Sequence, residues 1–160
     1  MIAVTHYSAV PEVGVQTMPR NPPEGMPRIT SCAYYSDPDA AITWLKQAYG
    51  FEERLKLADD AGKTIHAELS YKDGLIMVGP SCSEEKKTSP ATLDGQFTQG
   101  MYIYVDDVDG HCEKTRSAGG EIVMEPVDMF WGDRVYRTLD PEGHLWVFST
   151  HKHDVPMDQM

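Results

Sequence analysis

Two residues of one predicted strand carry side chains suited to acid–base chemistry. His66 and Glu68 lie two positions apart in TIHAELSY (64–71), and alternate residues of a strand share a face. An imidazole beside a carboxylate forms a candidate general acid–base pair. The same two side chains also suit the polar lining of a cavity. We favour the lining and keep the acid–base pair as the alternative.

The cysteines give weaker indications of chemistry. Cys32 is a conceivable nucleophile, but nothing near it in the pattern would lower the pKa of its thiol, and structural cysteines are commoner. The three cysteines, Cys32, Cys82 and Cys112, are widely spaced and include no CxxC pair. This spacing predicts reduced thiols in a cytoplasmic protein. Near the C-terminus, His151, His153 and Asp154 suit a solvated chain end that could hold adventitious metal.

Composition excludes several classes of partner. The formal net charge is −11, which disfavours nucleic acid and anionic membranes because both require clustered lysine and arginine. The sequence has no apolar run near the roughly 18 residues that a membrane span needs. Its first residues lack the basic and apolar regions of a signal peptide. The hydrophobic content of 41% is sufficient for a folded core.

One segment of the chain occurs twice. Residues 36–50 (SDPDAAITWLKQAYG) and 106–120 (DDVDGHCEKTRSAGG) align at an offset of 70. The identical pairs are Asp37 with Asp107, Asp39 with Asp109, Ala48 with Ala118, and Gly50 with Gly120. Such a repeat indicates two copies of one supersecondary unit.

Each copy has the predicted order β-α-β-β-β. Aspartate can cap the start of each helix, and glycine follows its end. The fold class is therefore α+β, with tandem β-α-β-β-β modules forming a curved, cup-like mixed sheet and helices on its outer face. In chain order, the first copy has a strand at 29–35, a helix at 38–49 and strands at 51–59, 64–71 and 75–79; the second has 100–105, a helix at 107–118, then 121–126, 133–140 and 144–150.

The chain divides into five predicted regions. Prolines prevent the N-terminal region from forming a long helix or a central strand. The regions are an extended proline-rich N-terminal arm (1–27), the first module (28–79), a linker (80–98), the second module (99–150) and a polar tail (151–160).

The repeat resembles the glyoxalase / bleomycin-resistance / extradiol-dioxygenase superfamily, also called the vicinal oxygen chelate superfamily. The resemblance rests on the YVDDVD-to-GG unit at 104–120, the WGDRVYRTLDPEGHLWVF unit at 131–148 and their counterparts in the first module. It covers about residues 28–150. It implies paired modules, a homodimer and a ligand cavity in the curved sheet. Because the superfamily includes metalloenzymes and binding proteins, the function must be argued from the site.

The resemblance also implies where a metal would bind. Metal-dependent members use His, Gln or Glu from the first and last strands of each module. Counted from the Asp37/Asp107 pair and from the turn glycines Gly74 and Gly143, these positions are Thr30, Val78, Gly100 and Val147. None of the four is a usual ligand for zinc, nickel, iron or manganese. We therefore expect no metal and no other cofactor.

Strand alternation predicts the lining of the cup. The inward set combines phenols with a few polar groups, as a pocket for a planar organic molecule requires. Trp131 lies on a loop and can close over a ligand as an aromatic lid. The other predicted ligand-binding residues are Cys32, Tyr34, His66, Glu68, Tyr102, Tyr104, Arg134 and Tyr136.

Three hypotheses for the function follow. The leading one is a metal-free, homodimeric binding protein for a small, partly aromatic molecule. The alternative is a lyase or isomerase of the glyoxalase type, using a displaced metal site or the His66/Glu68 pair. The third is a cup packed shut, which leaves a structural or interaction role.

Overall fold

Two β-α-β-β-β modules form the computed structural model, which describes residues 20–160. Most of the predicted N-terminal arm (1–19) lies outside the described residues. Short 3-10 helices also occur at Pro90–Thr92 and Met157–Gln159. The main elements are β1 (Ser31–Tyr35), α1 (Pro38–Tyr49), β2 (Glu52–Ala58), β3 (Thr64–Tyr71), β4 (Gly74–Pro80), β5 (Gly100–Tyr104), α2 (Val108–Ser117), β6 (Glu121–Asp128), β7 (Asp133–Leu139) and β8 (Leu145–His151).

Each module has its own four-stranded mixed sheet. The strand orders are β1-β4-β3-β2 and β5-β8-β7-β6. In both sheets the first strand pairs in parallel with the last, and the other pairs are antiparallel. The predicted α+β class and the repeat are therefore confirmed. Within residues 20–160, the two sheets remain separate and do not form a closed barrel.

The repeated aspartates and a glycine set the helix boundaries. Asp37 accepts a hydrogen bond from the Ala40 N–H at 3.0 Å, and Asp107 accepts one from the Gly110 N–H at 3.1 Å. Each bond satisfies a backbone donor that the first helical turn leaves free. Gly50 ends α1 with φ 82, a left-handed conformation that glycine adopts without strain.

One core joins the two modules on the helix side of both sheets. Tyr49, at the end of α1, lies with its ring centroid 5.1 Å from Trp146 and 4.8 Å from Phe148 of β8. Trp146 and Phe148 are fully buried. Because large aromatic side chains contribute most of the apolar area of such a core, the shared helix side fixes the modules to each other. The opposite, concave faces lie outside this core.

The turn before β8 attaches the second module to β1. The Tyr35 hydroxyl donates to Asp140 Oδ2 at 2.7 Å, and His144 Nε2 donates to the Tyr34 carbonyl at 3.0 Å. Glu142 accepts from the backbone N–H of Asp37 at 2.9 Å. The Asp-Pro-Glu-Gly-His motif is therefore an inter-module clamp as well as a turn.

The C-terminal segment is docked on the second module. β8 continues to His151, one residue into the predicted polar tail. The N–H groups of Lys152 and His153 then donate to the Gly132 carbonyl at 2.9 and 3.2 Å. These bonds hold the segment against the loop between β6 and β7. No helix within residues 20–160 is long and apolar enough to cross a membrane.

Candidate ligand-binding site

A cavity of about 330 Å³ lies on the concave face of the first module. The strand ladder places Cys32 opposite Met77, and their sulfur atoms lie 3.9 Å apart. Tyr34 lies two residues further along β1, on the same face. The cavity is lined by Cys32, Tyr34, Ile65, His66, Met77, Val78, Gly79, Pro80, Cys82, Glu85 and Lys87.

The counting that gave Val78 as the last-strand metal position was wrong by one residue. Val78 is 1% exposed and lies in the core opposite Ala33, and Met77 takes the concave position. The cause is a difference in turn length. Since Gly74 and Gly143 are 69 residues apart whereas the repeat offset is 70, counting the same distance from each glycine gives positions one residue out of register. Met77, not Val78, is the counterpart of Val147.

A larger cavity, of about 580 Å³, adjoins the first between β1 and the linker. Both volumes lie in the range of small-molecule sites. The cavities share Cys32, Tyr34 and Lys87. The larger one is lined by Thr30, Ser31, Cys32, Tyr34, Lys86, Lys87, Thr88, Pro90, Leu93, Phe97, Thr98, Gln99 and His144.

The linker contributes a fixed cation to this shared wall. Lys87 Nζ lies 5.5 Å from the centroid of the Tyr34 ring, within the range of a cation–π contact. The backbone of Lys87 forms a bridge with Cys82, and its ammonium pairs with Glu85. Composition alone identified these residues only as linker, because the pairing that shapes the loop connects residues through space.

The candidate acid–base pair is present but already partnered. His66 Nε2 lies 3.7 Å from Glu68 Oε1. The other oxygen of Glu68 binds the Arg54 guanidinium, which also donates to the Glu24 carbonyl at 3.0 Å. Glu68 is only 7% exposed. Glu68 therefore already has an ion-pair partner and is less available to a substrate.

Two register shifts in the β2/β3 ladder explain what alternation missed on this side. One falls between Glu53 and Leu55 and leaves Arg54 outside the regular pairing. The other falls between Leu57 and Ala58, opposite Ile65, which is 52% exposed although alternation places it beneath the helix. A bulge re-aims side chains without an obvious signal in the sequence.

On the second module, three predicted aromatic residues converge on one buried carboxylate. The hydroxyls of Tyr102 and Tyr104 donate to Asp133 Oδ2 at 3.1 and 2.9 Å, and Trp131 Nε1 donates to it at 3.1 Å. His151 Nδ1 lies 2.8 Å from Asp133 Oδ1. Asp133 is 3% exposed. The structure thus brings Tyr102, Tyr104 and Trp131 together, around a residue that alternation did not single out.

The cluster shifts the proton affinities of its members. Burial acts to raise the pKa of Asp133, but hydrogen bonds from His151, Tyr104, Tyr102 and Trp131 together hold that pKa below its usual value. The bond to Asp133 raises the pKa of Tyr104 to about 12. Bonds to Asp133 and then to Asp154 raise the pKa of His151. The groups on this face are therefore engaged with one another.

The assignment of Arg134 and Tyr136 to the cup was also wrong. Arg134 pairs through Nε with Asp109 of α2 at 2.9 Å. Tyr136 is fully buried on the helix side, where its hydroxyl bonds to His111 Nδ1 at 2.6 Å and to Thr115 Oγ1 at 2.9 Å.

A one-residue inversion of parity explains this error. Placing Val135 under the helix because it is apolar gives Arg134 and Tyr136 to the cup, but the ladder sets Val135 opposite Ser149 on the concave face. Tyr136 consequently lies opposite Phe148, on the helix side. A shift of one residue moves every side chain of a strand to the other face. The concave residue of β7 opposite Val147 is Arg137.

The residues at the superfamily metal positions do not fit a metal. With the register corrected, these positions are Thr30, Met77, Gly100 and Val147. They offer no imidazole, carboxylate or thiolate. Elsewhere in residues 20–160, no three His, Cys, Asp or Glu residues are grouped so that they could hold an ion.

Comparison with known proteins places the chain in a family. A family model described as Glyoxalase/Bleomycin resistance protein/Dioxygenase superfamily matches residues 26–148. TioX from Micromonospora sp. ML1 is 32% identical, with a TM-score of 0.63 over 79% of this chain and 99% of that chain. No curated protein matches the chain.

More distant structures share the fold. A glyoxalase/bleomycin resistance protein/dioxygenase from Nocardioides is 16% identical, with a TM-score of 0.61 over 84% of this chain and 90% of its own. FosX, a fosfomycin resistance protein from Listeria monocytogenes, is 12% identical, with a TM-score of 0.59 over 84% of this chain and 97% of its own. The protein belongs to the glyoxalase/bleomycin resistance protein/dioxygenase superfamily.

Proposed function

We propose that this protein binds a small, partly aromatic organic molecule on the concave face of its first module, without a metal. The observation that carries the proposal is the pair of adjoining cavities, of about 330 and 580 Å³, that share Tyr34. An aromatic wall with a few polar groups in a cavity of this size suits a planar ligand. Of the predicted ligand-binding residues, Cys32, Tyr34 and His66 line these cavities.

Titration with a neutral aromatic probe tests the proposal. We expect 2-naphthamide to bind saturably in calorimetry and to raise the melting temperature. Tyr34→Ala removes the shared wall and should abolish both effects. Val123→Ala, which removes an exposed apolar side chain from β6, is the matched control and should leave them intact. Equal loss of binding in both variants, or no saturable binding to the unaltered protein, would contradict the proposal.

The second candidate is an enzyme that uses His66 and Glu68 or a displaced metal site. The distance of 3.7 Å between His66 and Glu68 favours it, and the ion pair of Glu68 with Arg54 weighs against it. Elemental analysis of the protein before and after chelation tests whether a displaced metal site exists. If the enzyme instead uses His66 and Glu68 without a metal, His66→Ala would abolish turnover while leaving binding of the probe intact.

We also propose that the protein is a homodimer in which a second copy covers the concave face of the second module. Tyr102 and Tyr104 are 47% and 57% exposed on this face, with their rings 5.5 Å apart, and exposed aromatic patches are typical of interfaces. Analytical ultracentrifugation of the protein and of Tyr102→Ser tests this. A monomer at micromolar concentration would contradict it.

We also propose that the protein is cytoplasmic and has no nucleic-acid or membrane partner. Cys32, Cys82 and Cys112 are free thiols, which suits a reducing, cytoplasmic compartment. A net charge of −11 disfavours nucleic acid and anionic membranes as partners.

A further inference from the structure

We infer that the natural ligand of the first module carries a negative charge, placed in the larger cavity beside Lys86 and Lys87. The inference rests on the proposed binding function and adds the chemical class of the ligand. The charge of the cavity lining differs from that of the whole chain. The whole chain has 25 acidic against 14 basic residues, yet the described lining of this cavity contains two lysines and no aspartate or glutamate.

The two lysines have different partners. The ammonium of Lys87 pairs with Glu85 and lies over the Tyr34 ring, so its charge is partly balanced and its position is fixed. Lys86 forms no ion pair with the described residues within 4.0 Å. Lys86 therefore supplies the cationic group that remains available to a ligand.

Two carboxylates close in sequence to the cavity wall, Glu85 and Glu142, are engaged with other groups. Glu85 faces Lys87. Glu142, two residues before the lining residue His144, accepts hydrogen bonds from Ser89 Oγ and from the backbone N–H groups of Ser36 and Asp37. Both carboxylates therefore have partners other than Lys86, which leaves the Lys86 ammonium to a ligand.

The remaining lining describes the rest of the ligand. Phe97, Leu93 and Pro90 supply an apolar side, and Thr30, Thr88 and Thr98 supply hydroxyl groups. Phe97 is 42% and Leu93 37% exposed, so both have surface to cover. An aromatic or apolar body bearing a carboxylate or phosphate matches this arrangement. Hydroxyl groups and ammonium groups both donate to such oxygens.

The acidic surface of the protein does not cancel this local preference. Exposed charges are screened over about 8 Å at physiological ionic strength. Carboxylates on the far side of the molecule therefore act weakly inside the cavity, whereas Lys86 lies in its wall. Net charge governs how fast a ligand approaches; the local lysines govern which ligand stays.

Four probes with one ring system test the inference by calorimetry: 2-naphthoate, 2-naphthyl phosphate, neutral 2-naphthamide and 2-naphthylmethylammonium. We expect at least one anion to bind roughly fivefold tighter than the amide, as one partly exposed ion pair provides. Lys86→Gln should remove that advantage and leave binding of the amide unchanged. Lys72→Gln is the matched control, because Lys72 pairs with Asp106 outside this cavity, and it should keep the advantage.

The outcomes separate this inference from the proposed function. If the amide binds as tightly as both anions, or the ammonium binds tightest, the inference fails while the binding function stands. If the advantage of the anions persists in Lys86→Gln, the assignment to this cavity fails. If none of the four probes binds, both fail together. The preference between carboxylate and phosphate identifies the ligand's acidic group.

Discussion

The concave faces of the two modules have the same strand order, but their side chains differ in what they contact. The repeat offset aligns Tyr34 with Tyr104 and Cys32 with Tyr102. In the first module, Tyr34 borders two cavities. In the second, Tyr102 and Tyr104 border one cavity of about 470 Å³, but the Tyr104 hydroxyl is bound to Asp133 at 2.9 Å, and the C-terminal segment lies against the adjoining loop. Repeating a fold therefore does not repeat a site.

The two faces differ in how far their polar side chains already have partners within the protein. The second module satisfies its buried carboxylate with Tyr102, Tyr104, Trp131 and His151. A fully satisfied network is rigid and gains little from a new partner. The first module also buries a carboxylate, Glu68, but both Glu68 and its partner Arg54 lie outside the lining of the two cavities.

Replacing Gly132 should give the largest effect, because it separates the docked C-terminal segment from the second module. A Cβ at Gly132 would lie 1.9 Å from the backbone oxygen of His153, and φ is +96. We expect Gly132→Ala to cost roughly 3 kcal/mol in the free energy of unfolding, through steric overlap and backbone strain. Urea denaturation measures it.

Gly62→Ala is the matched control for that variant. Gly62 also has a positive φ, +79, but a Cβ there meets nothing within 4 Å. It should cost only roughly 1 kcal/mol, from backbone strain. Equal losses in the two variants would show that the segment is not held at Gly132.

Removing the charge of Glu68 should give the next largest effect, and this one lies in the first module. Glu68→Gln leaves the Arg54 guanidinium without its anionic partner, at a cost of about 2 kcal/mol in the free energy of unfolding. Arg54→Met should cost a similar amount, and the double variant less than the sum. Strictly additive losses would mean that the two side chains do not stabilise each other.

The aligned tyrosines give the most direct stability test of the comparison. Tyr104→Phe removes a hydroxyl that satisfies buried Asp133 and should cost about 1 kcal/mol in the free energy of unfolding. The hydroxyl of Tyr34 donates to none of the described residues, so Tyr34→Phe should leave stability unchanged. Thermal unfolding of the two variants measures both. A larger loss of stability in Tyr34→Phe than in Tyr104→Phe would contradict the comparison of the two modules.

The smallest effect is a dependence of stability on pH that arises from His151 in the second module. The folded pKa of His151 is raised by Asp133 and Asp154, above an unfolded value near 6.5. The stabilisation is therefore complete below about pH 6.5 and is lost as pH rises through the folded pKa. His151→Gln should be less stable than the unaltered protein at low pH, and the gap should narrow at high pH. A gap that widens with pH would contradict this assignment.

Most of the fold follows from local signals in the sequence. The aspartate caps, the glycine stop of α1 and the repeat predicted both helices and the order of all eight strands, within a few residues of their ends. These signals act over a few neighbouring residues, so the sequence carries them explicitly.

The site was harder to predict, because it depends on strand register and on contacts between distant segments. Alternation placed Cys32, Tyr34 and His66 correctly on the concave face, beside the cavities. It assigned the residues of β7 to the wrong faces of the sheet, because an apolar residue, Val135, faces the concave side. It also gave no indication of Arg54, which lies at a bulge, or of Asp133, which is identified only by the partners that surround it.

Backbone amide chemical-shift mapping with 2-naphthamide and 2-naphthoate tests most directly the central claim, that ligands bind the first module. We expect the largest changes in β1 and in those residues of segment 86–99 that line the larger cavity, and only small changes at Tyr102, Tyr104 and Asp133. The result should hold for both probes, since it does not depend on charge. Changes concentrated around Asp133, with β1 and the linker unaffected, would contradict the account.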